Sequence, residues 1–111
     1  MITSHILDTS TGKPGEGIAV NLFFLEKNDP MGWIKIAEAK SDENGRINEW
    51  LTKEPKSGTY KIRFDTKEYF GNNSIDTFYP YVEIIFEVQT KEHYHVPLLI
   101  SPFGYSTYRG S

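Results

Sequence analysis

The sequence predicts an all-β fold, a two-sheet antiparallel sandwich with one short helix, and three observations carry that prediction. Short runs of alternating apolar and polar residues recur along the chain, each closed by Gly, Pro, Asn, Asp or Ser. Only Asp65-Thr66-Lys67-Glu68-Tyr69-Phe70-Gly71 reads as a helix, with Asp65 or Thr66 as its cap and Gly71 as its stop. A chain of 111 residues without internal repeats or a linker fits about six to eight such strands into one domain over 1–111.

Taken in order, Ile2 to Leu7 alternates and sets Thr3, His5 and Leu7 on one face. The stretch Asp8-Thr9-Ser10-Thr11-Gly12-Lys13-Pro14-Gly15 has the composition of a loop. Both alternating sets are apolar from Ile18 to Leu25, which predicts a central strand covered on both faces. Asn28-Asp29-Pro30-Met31-Gly32 breaks it, and Trp33 to Ala39 forms the next strand.

Asn44-Gly45 is the strongest short hairpin signal in the chain. It predicts that Arg46 to Leu51 returns alongside the preceding strand, with Arg46, Asn48 and Trp50 on one face and Arg46 held at the strand mouth. Tyr60, Ile62 and Phe64 then alternate with Lys61, Arg63 and Asp65, giving a strand with one wet side. From Tyr81 to Gln89, Val82, Ile84, Phe86 and Val88 point inward, opposite Glu83, Ile85 and Glu87. After a turn at Thr90-Lys91-Glu92, Tyr94, Val96, Leu98 and Ile100 share one face and His93, His95 and Leu99 the other. Ser101-Pro102-Phe103-Gly104 reads as a tight turn, so Tyr105 to Arg109 returns as a partner strand and ties the terminus into a sheet.

Composition narrows the function. Hydrophobic residues make up 38% of the chain, aromatics 14% and charged residues 24%, the profile of an ordinary folded protein rich in rings. A formal net charge of -3, with cations spread among acids, offers no stripe to follow a phosphate backbone, so no nucleic-acid partner is expected. With no cysteine there is no disulfide, thiolate metal site or thiol nucleophile. The start Met1-Ile2-Thr3-Ser4-His5 lacks a secretory signal and no window is long enough to span a bilayer, so the expectation is a cytoplasmic protein without a membrane partner.

Three histidines and several arginines form the chemical vocabulary. An imidazole takes a proton from water near neutral pH because its pKa lies close to ambient. A guanidinium offers a planar fork of donors to an oxygen-rich ring or a developing oxyanion. His5, His95 and Arg46 together would form a water-handling site. Residue type alone leaves plainer readings open: His5 as an incidental polar residue, His95 as a satisfied histidine on a sheet face, Arg46 as a solvated charge and Arg109 as a tail charge. A three-histidine zinc site built from His5, His93 and His95 is permitted by spacing.

The run from His95 through Ser111, ending Tyr108-Arg109-Gly110-Ser111, together with Ser4-His5-Ile6-Leu7-Asp8-Thr9-Ser10-Thr11-Gly12-Lys13-Pro14, closely resembles the two signatures of the transthyretin-related family in its hydrolase branch. The resemblance spans essentially the whole chain. Gly15, where the family usually has alanine, and Asn44, where it often has aspartate, are the departures.

The resemblance implies a transthyretin-like topology and hydrolysis of 5-hydroxyisourate to 2-oxo-4-hydroxy-4-carboxy-5-ureidoimidazoline in urate catabolism. It implies no cofactor and no metal, a small-molecule substrate and a homotetramer with sites where dimers face each other. Carried over position by position, it marks His5, Arg46 and His95 as catalytic and His5, Arg46, Tyr108 and Ser111 as substrate-binding. For Arg109 the alternative role is an ion pair that holds the tail. The competing expectation is a non-catalytic small-ligand carrier of the transthyretin type, which lacks the Tyr-Arg-Gly-Ser ending and the His/Arg set.

Overall fold

A computed structural model describes residues 1–26, 31–89 and 91–110. Among the described residues, nine strands and one helix follow in order: β1 (Ile2–Asp8), β2 (Lys13–Pro14), β3 (Ala19–Leu25), β4 (Trp33–Lys40), β5 (Arg46–Ile47), β6 (Gly58–Phe64), α1 (Thr66–Asn72), β7 (Val82–Val88), β8 (Tyr94–Ser101) and β9 (Gly104–Thr107). One sheet runs β4-β3-β6-β7, all antiparallel. The other runs β2-β1-β8-β9, with β5 sharing the β1 edge with β2. The expected two-sheet sandwich with one helix is therefore present.

Its core comes from the inward faces that alternation identifies. Ile2, Ile6, Val96, Leu98 and Ile100 on one sheet meet Val20, Leu22, Ile62, Phe64, Val82 and Val88 on the other, and Phe70 of α1 is buried with them. A one-residue slip of β8 would turn Tyr94, Val96, Leu98 and Ile100 outward and bring His95 into the core. At about 1.5–3 kcal/mol for each large apolar side chain returned to water, the register has no close competitor.

Several expectations need correction. β1 and β8 pair in parallel, joined only through most of the chain, so the sandwich is not wholly antiparallel. The outward side chains of β3 are half-buried instead of fully covered. Lys61 lies over the Phe23 and Trp33 rings and shields part of that face.

The Asn44-Gly45 turn forms, but it joins two sheets and is not a hairpin. Gly45 alone takes positive φ (+74°), and its N–H donates to the Asp42 carbonyl. The Gly45 carbonyl then accepts from Ile6 N–H at 2.7 Å, which hands the chain to β1. The returning strand ends at Ile47, so Arg46, Asn48 and Trp50 do not form a strand face.

On α1, Asp65 is the N-cap residue without a side-chain cap bond, because its carboxylate accepts from Arg63 Nε instead. Gly71 lies inside the helix, which ends one residue later. The break expected at Asn28-Asp29-Pro30, the turn at Thr90 and the residue Ser111 lie outside the described residues. Among the described residues no helix is long and apolar enough to cross a membrane.

Candidate active site

The outward face of β5, β1 and β8 gathers the candidate residues. His5 is paired with Arg46 on one side and Pro97 on the other, while Thr3 is paired with His95. His5 and His95 are thus diagonal neighbours on adjacent strands, with Arg46 next to His5. Sequence separations of about ninety and forty residues disappear in the sheet register. His5 and His95 are half-buried and Arg46 is exposed.

Arg46 is set by the turn before it. The Asp42 carboxylate accepts the Arg46 N–H at 2.9 Å and the Asn44 N–H at 2.8 Å. The Arg46 N–H is the main reason Asp42 keeps its carboxyl below the usual range, helped by Asn44 N–H and by the charges of Arg46 and His5 against an opposing burial effect. Among the described residues the Arg46 guanidinium forms no ion pair. It remains available to a ligand.

His95 is held at two points. Its Nδ1 lies 2.8 Å from Thr3 Oγ1, and the same oxygen lies 2.7 Å from His93 Nε2. Its carbonyl accepts the Gly110 N–H at 2.8 Å, pairing the tail with β8. Burial depresses the His95 pKa first, and the positive charges of Arg46, His5 and His93 depress it further. Each of these effects disfavours the protonated ring.

Tyr108 does not join this group. It is 58% exposed and lines a cleft of about 260 Å³ with His95, Thr107, Arg109 and β7 residues Ile84 to Glu87. Neither His5 nor Arg46 lines that cleft. Arg109 reaches Glu92 at 3.4 Å and stacks its guanidinium over Tyr94 at 4.6 Å, so it holds the tail to β8. The larger groove of about 570 Å³, lined by Phe24, Ile34, Ile36, Trp50 and Tyr60 among others, contains none of the candidate residues.

Two participants escape a reading by residue type. Thr3 is 5% exposed and lies on the same strand face as His5, but its contact with His93 and His95 depends on the parallel pairing. Asp42 is an ordinary turn residue until its carboxylate is seen to fix the Arg46 backbone. Neither carries a local signal beyond strand alternation and turn composition. His93 and His95 meet on the Thr3 hydroxyl, and among the described residues no three His, Asp or Glu side chains converge on a metal-sized point. The three-histidine grouping that spacing permits is not formed.

Comparison with known proteins follows the same line. Residues 2–110 match the HIUase/Transthyretin family model. The 5-hydroxyisourate hydrolase of Salmonella dublin is 43% identical over 113 aligned positions, covering 100% of this chain and 81% of that protein. The structure of Klebsiella pneumoniae 5-hydroxyisourate hydrolase superposes with a TM-score of 0.86 at 32% identity, over 99% of this chain and 98% of that one. Sea bream transthyretin in complex with thyroxine superposes with a TM-score of 0.91 at 30% identity, over 98% and 93%.

Proposed function

The chain belongs to the HIUase/Transthyretin family, and from that premise we propose that it hydrolyses 5-hydroxyisourate to 2-oxo-4-hydroxy-4-carboxy-5-ureidoimidazoline, a step of urate breakdown. The observation that carries the reading is the grouping of His5, Arg46 and His95 on adjacent strands of one sheet face. The names of the Salmonella and Klebsiella relatives support the substrate.

In this reading Arg46 holds the flat ring and His95 acts as base. Water oxygen bonds to the ring carbonyl carbon while its proton passes to His95 Nε2. The carbonyl oxygen, now carrying the negative charge, faces the Arg46 guanidinium. Collapse of the tetrahedral intermediate breaks the ring C–N bond, and the leaving nitrogen takes a proton, with His5 as the donor. In this reading Tyr108, which lines the cleft beside His95, helps bind the substrate. No step calls on a metal or cofactor.

A homotetramer accompanies this reading. Within one chain β7 and β9 are each paired on one side only, and Ile85 is 61% exposed on β7. Pairing with further copies would cover such edges.

The test is the decay of freshly made 5-hydroxyisourate, generated with urate oxidase and followed by ultraviolet absorbance. Wild-type protein accelerates the decay, and His95→Ala slows that reaction by on the order of 10² to 10⁴ with an unchanged circular dichroism spectrum. A non-catalytic carrier would leave the spontaneous decay unaltered, and a fully active His95→Ala would remove His95 as base.

A further inference from the structure

The Thr3 hydroxyl is nearly buried between two imidazoles, 2.7 Å from His93 Nε2 and 2.8 Å from His95 Nδ1. A hydroxyl has one proton to donate and lone pairs to accept. With both contacts at hydrogen-bond length, Thr3 donates to one ring and accepts from the other. Facing nitrogens that were both protonated would leave the hydroxyl proton without an acceptor, and two bare nitrogens would leave one unpaired. The two rings are therefore locked into complementary protonation at the nitrogens that face Thr3.

We propose that Thr3 is a positioning residue and proton relay, which keeps His95 Nε2 bare for water and drains the accepted proton to His93. This rests on the reading of His95 as base. At rest His95 Nδ1–H donates to Thr3 Oγ1, and the Thr3 hydroxyl donates to His93 Nε2. When His95 Nε2 takes a proton from water, its Nδ1 proton moves to Thr3 Oγ1 and the original Thr3 proton moves to His93 Nε2. His95 ends neutral, now protonated at Nε2, and His93 carries the positive charge.

His93 is exposed, so it can release that proton to solvent. The alternative, an imidazolium retained at His95, would lie beside Arg46 and His5. The Arg46 guanidinium and the His5 ring both act against a charge on His95, and the Asp42 carboxylate lies beyond Arg46. Their repulsion favours moving the proton outward along the Thr3 contact.

The experiment uses the intact protein and long-range proton–nitrogen NMR of the imidazoles, with kinetics on Thr3→Val and Thr3→Ser. Valine keeps the shape of threonine and loses its hydroxyl, while serine keeps the hydroxyl. The expected result is the Nδ1–H tautomer on both rings, with Nδ1–H of His95 and the bare Nε2 of His93 facing Thr3, in wild type and Thr3→Ser. In Thr3→Val that pairing is lost, and kcat falls at least about tenfold with little change in KM; Thr3→Ser recovers most of it.

Wild-type rings in opposite tautomers or both in the Nε2–H form, or Thr3→Val with wild-type kcat beside an inactive His95→Ala, overturns the relay. The wild-type spectrum decides the tautomers even if Thr3→Val does not fold. Failure of the underlying reading has a different signature, a His95→Ala variant with full activity.

Discussion

Gly110 lies against the imidazole of His95. Its N–H donates to the His95 carbonyl at 2.8 Å, and a Cβ added at Gly110 would stand 2.5 Å from His95 Cδ2. Real carbon pairs do not approach so closely, so either the ring or the tail must move. The tail therefore does more than end the chain, because it forms one wall of the site that Thr3 bounds on another side.

Gly110→Ala should accordingly impair chemistry before stability. A shift of the imidazole by about 1 Å is enough to cost on the order of 10² in kcat. The global unfolding midpoint should stay close to wild type, since the residue lies outside the hydrophobic core. Steady-state kinetics with thermal unfolding measures both, and an alanine variant with wild-type kcat would mean that the ring is not held by the tail.

The second prediction concerns pH. Burial first, then Arg46, His5 and His93, hold the His95 pKa below the ordinary imidazole value of about 6.5. The unfolded chain therefore binds more protons at this residue between the folded and unfolded values, and stability rises with pH across that window. The contribution is complete above the unfolded value and is lost as pH falls through the folded one. NMR titration should give a His95 midpoint below about 6.5, with Arg46→Gln raising it only part of the way back because burial remains. A midpoint at or above the ordinary value contradicts the assignment.

How much of this was legible depends on whether the physical cause is local. Alternation locates β6, β7 and β8 because Tyr60, Ile62 and Phe64, then Val82, Ile84 and Val88, then Val96, Leu98 and Ile100 each mark a buried face. Asn44-Gly45 marks a turn but not which sheet receives Arg46, because the receiving group is the Ile6 backbone, far away in sequence. The parallel β1–β8 register is equally non-local, and with it the meeting of Thr3 with His93 and His95. His5, Arg46 and His95 emerge as candidates through family signatures, whereas residue spacing alone favours plainer roles for each.

The third prediction tests the crossing between sheets. Gly45 takes φ +74°, a region in which an L side chain costs about 1–2 kcal/mol. A Cβ there would also run into the Ile6 carbonyl oxygen, a backbone atom held by its own sheet. Gly45→Ala should therefore cost at least about 2–3 kcal/mol. Urea unfolding should show a lower midpoint at unchanged slope; a variant as stable as wild type would show that this approach is not tight.

The last prediction concerns the anchor between α1 and β1. Asp8 is 1% exposed, and its carboxylate accepts from Ser10 N–H, Ser10 Oγ and Tyr69 OH, the last at 2.7 Å. Burial, the hydrogen bond to Asp8 and the Asp8 charge push the Tyr69 pKa up to about 12. Tyr69→Phe leaves the ring but removes one donor from a buried anion, so it should cost about 1.5–3 kcal/mol at neutral pH. Because the folded pKa is raised, the phenol's contribution is full below the unfolded value of about 10. It is lost as pH rises through about 12. The difference in unfolding free energy between wild type and Tyr69→Phe should narrow over that interval, and a difference that stayed constant or grew would contradict a proton held between Tyr69 and Asp8.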